Sequence, residues 1–336
     1  MPSPNSKHID YIDLTKGICI LLVILHHSYA LDFEIPGLKA VRMPLYFMLS
    51  GLFFKNYGSF KNLIIKKINR ILIPYLTFFV FGCLMYLTIN SFRDCPITPF
   101  EYFFTDCYHS KPGYNVAVWF LLCLFEVNVI FCLITLITSS IPIIGLLSLI
   151  FGLLGECFDK NGILLPFYLC SSFSALPFFY LGYILKRSSY IYNGDRKYSL
   201  IYGLASIIIA VTIYFVYDGP NIDFAYNRYT GNIILIYTAS AIGVIGLLLI
   251  CKYLKWLPFI SYFGKYSIIP LCVHVLFLYS VNMAFKYLFG MQFDNLIGTI
   301  SFFTSVILSW LCIPFFRYRI PYLVAQKDLI KIKSPC

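Results

Sequence analysis

The stretch that decides the fold class is VAVWFLLCLFEVNVIFCLITLIT, residues 116–138, in which Glu126 is the single charged residue. It is long enough to cross the hydrocarbon core of a bilayer, which takes about 20 helical residues. The chain as a whole is similarly apolar: of its 336 residues, 60% are apolar and 12% are charged. Soluble domains average about 25% charged residues. The sequence therefore predicts an all-α polytopic integral membrane protein.

Ten apolar segments predict about ten transmembrane helices in a single membrane domain, residues 1–336. The first two segments are the least hydrophobic, and polar residues inside a membrane are costly enough to indicate function. No internal repeat or soluble domain is visible. The predicted helices are roughly 14–31, 36–54, 71–90, 116–138, 141–156, 163–185, 199–217, 230–250, 266–285 and 297–316.

The distribution of charge predicts the topology. With the N-terminus in the cytoplasm, nineteen of the 26 Lys and Arg residues fall in inner segments and ten of the 15 acidic residues in outer ones. This is the positive-inside pattern, so both termini are predicted to be cytoplasmic. The protein is predicted to lie in the plasma membrane, which is the inner membrane if the protein is bacterial. The net charge of +11 then indicates contact with membrane lipids and no nucleic-acid partner.

The first predicted helix carries three polar groups on one side. Lys16 and His27 are eleven residues apart, only about 20° from three full turns, and Asp13 precedes Lys16 by one turn. His27 lies roughly 16 Å further along the axis than Lys16. If Lys16 marks the inner boundary, His27 is near the middle of the membrane. A signal peptide is the alternative for this segment, because residues 28–30 loosely resemble a cleavage site, but adjacent histidines argue against it.

Two further polar residues lie inside predicted helices. His274 is roughly 12 Å into the ninth helix, at a depth similar to that of His27, so the two imidazoles could face one cavity, where histidine is the usual general base. Interhelical hydrogen bonds are the structural alternative for both histidines. Glu126 must face protein or water, or be protonated. It is then either part of a substrate site or a polar clamp to a neighbouring helix.

The predicted inner loop at residues 61–70 is strongly basic. It either contacts anionic lipid and fixes the topology, or cradles the phosphates of a cytoplasmic ligand. Its spacing alone does not separate these functions. The twelve cysteines show no metal-ligand spacing, which predicts no metal site. Cys95 and Cys107 share one predicted outer segment, where a disulfide could form.

Six strings, in order over about residues 10–285, resemble the acyltransferase-3 family of membrane O-acyltransferases, which includes the sugar O-acetylases of bacterial surface polysaccharides. Each string alone is weak, and the ordered set is specific. The strings are Ile12-Asp13-Leu14-Thr15-Lys16-Gly17 with His27, Met43-Pro44-Leu45-Tyr46-Phe47 with Ser50-Gly51, Lys67-Ile68-Asn69-Arg70-Ile71-Leu72-Ile73-Pro74-Tyr75, Val118-Trp119-Phe120-Leu121, Pro177-Phe178-Phe179-Tyr180-Leu181-Gly182-Tyr183, and Gly264-Lys265-Tyr266-Ser267 with His274.

The resemblance implies transfer of an acetyl group from acetyl-CoA to a hydroxyl of a cell-surface or lipid-linked sugar or polysaccharide. Lys16 and Lys67 stand where the family more often has arginine, which keeps the charge but loses the planar fork. Arg42 stands where the family often has histidine. The implied roles are catalytic for His27, Lys16 and Asp13, CoA-phosphate binding for Lys67 and Arg70, and substrate binding for Ser50, Trp119, Glu126 and His274.

Two other classes of function remain open at this point. A transporter or flippase of a glycan or lipid intermediate would also place polar groups near the middle of the membrane. A structural subunit of an export complex is the third class. Acyl transfer or thioester hydrolysis by the purified protein separates an enzyme from both.

Overall fold

The computed structural model describes residues 9–30, 38–90, 98, 100, 101, 104, 108, 115–188, 196–291 and 294–331. Cys95 and Cys107 lie outside the described residues, so their disulfide stays a prediction. Within this part of the chain the structure is helical apart from connections and one two-stranded hairpin. The predicted all-α class is confirmed.

Each of the ten predicted segments contains a helix. Nine helical spans among the described residues are long and apolar enough to cross a membrane, and the remaining predicted span, the second, is a helix of 15 residues. The helices are α1 (Asp10–Ser28), α2 (Leu38–Leu52), α3 (Phe60–Lys67), α4 (Ile73–Asn90), α5 (Trp119–Ile137), α6 (Ile141–Lys160), α7 (Leu169–Leu185), α8 (Arg196–Val216), α9 (Ile233–Leu254), α10 (Pro258–Lys265), α11 (Ile268–Phe289) and α12 (Asn295–Arg319).

The connections hold elements that hydrophobicity did not predict. The short helices α3 and α10 have eight residues each, too few for a transmembrane segment. A π-helical turn, Ile68–Leu72, joins α3 to α4. Between α8 and α9, strands β1 (Asn221–Asp223) and β2 (Arg228–Thr230) form an antiparallel hairpin.

Helix α1 begins and ends earlier than predicted. Asp10 and Asp13 lie in its first turn, where carboxylates are favourable near the partial positive charge of the helix N-terminus. It ends at Ser28, because Tyr29 adopts a left-handed conformation with φ of 51°. His27 therefore lies in the last turn of α1, three residues closer to the end of the helix than the predicted bounds implied.

Glycines bring α1 and α10 into close contact. A Cβ on Gly264 would overlap the backbone oxygen of Asp13 and the backbone nitrogen of Gly17. A Cβ on Gly17 would in turn overlap the carbonyl oxygen of Ile260. Small residues allow backbones in a membrane to approach this closely. The packing fixes α1 at the level of Asp13 and Lys16.

The segment after α12 folds back onto the π-helical turn. Asn69 in that turn is buried, and its Oδ1 accepts hydrogen bonds of 2.8 Å from the backbone N–H groups of Leu329 and Ile330. Its Nδ2 donates to the carbonyl oxygen of Ile330 at 2.8 Å. Asn69 thus helps to anchor the segment 320–331, which we call the C-terminal tail, to the junction between α3 and α4.

Candidate active site

A cavity of about 360 Å³ lies at the His27 end of α1. Helices α1, α2, α5 and α11 contribute to its wall, and the β-hairpin forms the remaining side. The charge distribution predicts that this end faces the outside of the cell. The polar and aromatic residues of the wall are His26, His27, Tyr29, Arg42, Trp119, Asp223, Phe224, Tyr226 and Tyr279.

The structure brings His27 and His274 together. Their ring centroids are 5.5 Å apart. His27 is half-buried and lines the cavity, whereas His274 is fully buried behind it. Nδ1 of His274 lies 2.8 Å from the carbonyl oxygen of Pro270. Because a carbonyl can only accept, this contact assigns the proton to Nδ1 and leaves Nε2 as an acceptor.

Nε2 of His274 is buried and has no hydrogen-bond partner in the part of the chain that the structure describes. Such an atom costs free energy, about 1–3 kcal/mol for a neutral polar group. Buried unsatisfied atoms of this kind call for an explanation. The ring of His27, with its centroid 5.5 Å from that of His274, can supply an N–H.

Arg42 belongs to the site as well, although in the sequence it stands out only as a departure from the pattern of the family that the chain resembles. It is buried and lines the same cavity as His27. Its backbone oxygen accepts from the thiol of Cys19 at 3.1 Å, and its Nη1 lies 3.5 Å from the carbonyl oxygen of Leu22. These contacts join the start of α2 to α1. Arg42 therefore supplies a fixed positive charge where a reaction at His27 could develop negative charge.

Lys16 lies away from the cavity. Its Nζ is 3.7 Å from Oδ1 of Asp13 and 5.5 Å from the centre of the Phe53 ring. Asp13 and Lys16 therefore lie on the same side of α1, as their spacing predicts. Because eleven residues of helix separate Lys16 from His27, the two lie about 16 Å apart along the axis. Lys16 cannot touch a group that reacts at His27.

Of the four predicted substrate residues, two lie at the cavity and two lie elsewhere. Trp119 lines the cavity, and His274 lies behind it. Ser50 does not line it and accepts a hydrogen bond from Asn128 of α5 at 3.3 Å. Glu126 accepts a hydrogen bond of 2.6 Å from the hydroxyl of Ser172 on α7. This contact joins α5 to α7 and corresponds to the polar clamp that was the alternative to a substrate-binding role for Glu126.

The basic segment faces the C-terminal tail. Asp328 of the tail lies 2.6 Å from Nζ of Lys66 and 3.3 Å from Nε of Arg70. Arg70 also donates to the carbonyl oxygen of Ala325. Lys67 is close enough to Cys132 of α5 for the two side chains to interact electrostatically. Cys132 is thirteen residues from Trp119 on that helix, so Lys67 is about 20 Å from the level of the cavity.

The comparisons identify the family. The family model described as an acyltransferase domain, that of acyltransferase-3, matches residues 9–314, nearly the whole chain. No curated protein and no solved structure matches the chain. The matched region contains both histidines of the site, the basic segment and the hairpin. The chain is thus a multi-pass membrane acyltransferase and belongs to the acyltransferase-3 family.

Proposed function

We propose that the protein is an O-acetyltransferase that moves the acetyl group of acetyl-CoA to a hydroxyl of a cell-surface or lipid-linked sugar, in the plasma membrane, the inner membrane in a bacterium. The observation that carries the proposal is the position of His27. It lines a cavity with polar and aromatic walls and has a second imidazole behind it. A general base must lie within hydrogen-bond reach of the acceptor hydroxyl, and a position on the wall of a cavity allows this.

His27 performs the proton transfers of the reaction. The acceptor hydroxyl gives its proton to the free ring nitrogen of His27 while its oxygen attacks the thioester carbonyl. The carbon–sulfur bond then breaks, and the imidazolium returns the proton to the leaving CoA thiolate. The products are the acetyl ester and free CoA, and His27 is neutral again. The guanidinium of Arg42, in the same cavity, stabilises the tetrahedral oxyanion.

His274 positions His27. Its Nε2 accepts the second ring N–H of His27, which fixes the tautomer and stabilises the imidazolium, as a carboxylate does in a catalytic triad. The ring centroids are 5.5 Å apart. Catalytic hydrogen bonds are often long before the substrate binds and shorten in the reacting complex. The unsatisfied Nε2 of His274 has its partner in that complex.

The donor binds at the opposite end of the helices. Charge-assisted hydrogen bonds from Lys67 and Arg70 hold the CoA phosphates at the cytoplasmic side, and Lys16, oriented by Asp13, adds a further positive charge. Because Lys67 is about 20 Å from the level of the cavity, the pantetheine arm runs between the helices toward His27. This places the acetyl group next to an acceptor that enters from the outside.

Replacing His274 with leucine is expected to lower kcat for acetyl transfer roughly 10-fold or more, because His27 loses the group that orients it. The KM for acetyl-CoA should stay near that of the parent, since His274 is far from the basic segment. His274→Gln keeps an acceptor in the side chain and should recover part of kcat. Initial rates at saturating donor and acceptor test this, and equal kcat for the leucine variant and the parent would remove His274 from the mechanism.

Two measurements test the function itself. The purified protein, given acetyl-CoA and a sugar acceptor, should release CoA and form an acetyl ester. The surface glycan of cells with the gene should be heavier by one acetyl group per modified residue than that of cells without it. No CoA release together with an unchanged glycan would overturn the proposal in favour of transport of a glycan or lipid intermediate.

A further inference from the structure

The β-hairpin forms one complete side of the cavity that contains His27. Its residues 222–226 all line that cavity. The register pairs Ile222 with Tyr229 and Asp223 with Arg228, so the turn of the hairpin lies against the reaction site. Nothing in the proposed chemistry uses these residues. The proposed reaction thus assigns no function to the hairpin, although the hairpin is part of the site.

A buried polar network anchors the hairpin. Asn227 accepts a hydrogen bond of 2.5 Å from the hydroxyl of Ser174 and donates one of 2.9 Å to the carbonyl oxygen of Gly155. The phenol of Tyr229 donates to Ser174 at 2.6 Å, and its backbone N–H donates to Asp159 at 2.7 Å. Satisfied buried networks of this kind hold an element in one position.

Apolar packing fixes the same hairpin from inside. Phe224 is 2% exposed, and its ring centroid lies 5.5 Å from that of Phe47 and 6.0 Å from that of Phe178. Asp223 and Tyr226, one and two residues away, line the cavity, and the Tyr226 side chain is 44% exposed. The hairpin therefore presents a carboxylate and a phenol ring to the cavity on a rigid support.

We propose that the hairpin selects the acceptor: Asp223 accepts hydrogen bonds from hydroxyls of the acceptor, and Tyr226 covers an apolar face of its ring. The inference rests on the proposed function for its acceptor, a polyhydroxylated ring. A carboxylate has about four acceptor sites on its two oxygens, so it accepts hydrogen bonds from several donors at once. Oδ1 of Asp223 already accepts from the backbone N–H of Ala225 at 3.1 Å, which orients the group. A tyrosine ring offers an apolar face together with a polar edge.

Two tyrosines at the mouth of the cavity extend this surface. Tyr29 follows the end of α1 and is 66% exposed, and Tyr279 on α11 is 38% exposed. Both line the cavity together with Tyr226. Aromatic residues with one apolar and one polar part suit a ring that is half in water. The acceptor thus enters between three tyrosines, with the hydroxyl to be modified directed toward His27.

Binding can be measured without chemistry. In a His27→Ala background, methyl glycosides of several hexoses are titrated while tryptophan fluorescence is followed, because Trp119 lines the cavity. A Trp119→Phe variant gives the fluorescence of the other two tryptophans, Trp256 and Trp310. This background is subtracted from the total signal to leave that of Trp119. We expect a saturable change for at least one glycoside, and a Kd raised roughly 10- to 100-fold by Asp223→Asn, as for the loss of a hydrogen bond to a charged group.

A matched control is Asp218→Asn, which removes the same charge just before the hairpin, at a position that does not line the cavity. Its Kd should equal that of the background. Tyr226→Ala should weaken binding more than Tyr226→Phe, because the ring provides the contact. A monodeoxy glycoside that lacks the hydroxyl bound by Asp223 should bind the background weakly and be insensitive to Asp223→Asn.

The outcomes separate this inference from the proposed function. No saturable signal with any glycoside, or an unchanged Kd in both Asp223→Asn and Tyr226→Ala, would overturn the role of the hairpin. Glycoside binding that depends on Asp223, in a parent protein that transfers no acetyl group, would leave the hairpin inference standing and overturn the proposed chemistry. Binding and transfer that both depend on Asp223 support the two together.

Discussion

Replacing His27 with alanine is expected to lower kcat for acyl transfer by about 10²- to 10⁴-fold, the usual cost of losing a general base. The imidazole is the titratable group of the cavity wall that has a second, buried imidazole directly behind it. Because His27 is half-buried in the last turn of α1, its removal should leave the amount of protein in the membrane close to that of the parent. Initial rates at matched protein levels measure the effect.

His27→Gln is the stricter variant, because glutamine keeps hydrogen bonding but does not take up the proton. Its kcat should fall as far as that of His27→Ala. Lys16→Ala is the comparison on the same helix face. Since it lies about 16 Å from His27, it should mainly raise the KM for acetyl-CoA, and Lys16→Arg should retain much of the activity. Comparable kcat for His27→Ala and the parent would exclude His27 as the base.

Replacing Asn69 with leucine is expected to destabilise the protein by about 2 kcal/mol or more, because two backbone N–H groups of the C-terminal tail lose their acceptor and a leucine of similar size offers none. The tail should then detach from the junction between α3 and α4. Trypsin should cleave at Lys327 and Lys331 faster than in the parent, and the thermal midpoint in detergent should fall. Both readouts follow from the three hydrogen bonds between Asn69 and the tail.

The same substitution at Asn62 serves as the control. Asn62 lies on α3, is half-buried and donates one side-chain hydrogen bond, to the carbonyl oxygen of Tyr57. Water can replace that bond, so Asn62→Leu should cost less than about 1 kcal/mol. Equal tryptic cleavage of the tail in Asn69→Leu and in the parent would show that other contacts hold the tail.

The transmembrane helices could be predicted from the sequence because lipid imposes one simple requirement, an apolar run of sufficient length. This criterion does not predict helices α3 and α10, since each has eight residues. It does not predict the hairpin either, because strands of three residues are too short for an alternating pattern to be recognised. Both kinds of element depend on tertiary packing, as the anchoring of Asn227 by Ser174 shows.

The candidate site was predictable where helix geometry alone determines position. Lys16, Asp13 and His27 share a face of α1 by spacing, although of these three only His27 lines the cavity. The similar depth predicted for His27 and His274 agrees with the short distance between their rings. The other wall residues could not be found in this way. Arg42 and Asp223 belong to elements that are distant in sequence and meet only in the folded protein. Similarly, no local pattern links Glu126 to Ser172.

The docking of the tail has a consequence for biosynthesis. Lys66 and Asp328 are 262 residues apart, so at 5–20 residues per second the ribosome delivers Asp328 about 13 to 52 s after Lys66. For that interval the α3–α4 junction is in the membrane with its positive charges uncompensated, and the headgroups of anionic lipids are the counter-ions at hand. The basic segment, which we propose to hold the CoA phosphates, gains its contacts with the tail only when translation nears residue 330. A nascent chain released before that point would insert its first helices and still lack these contacts.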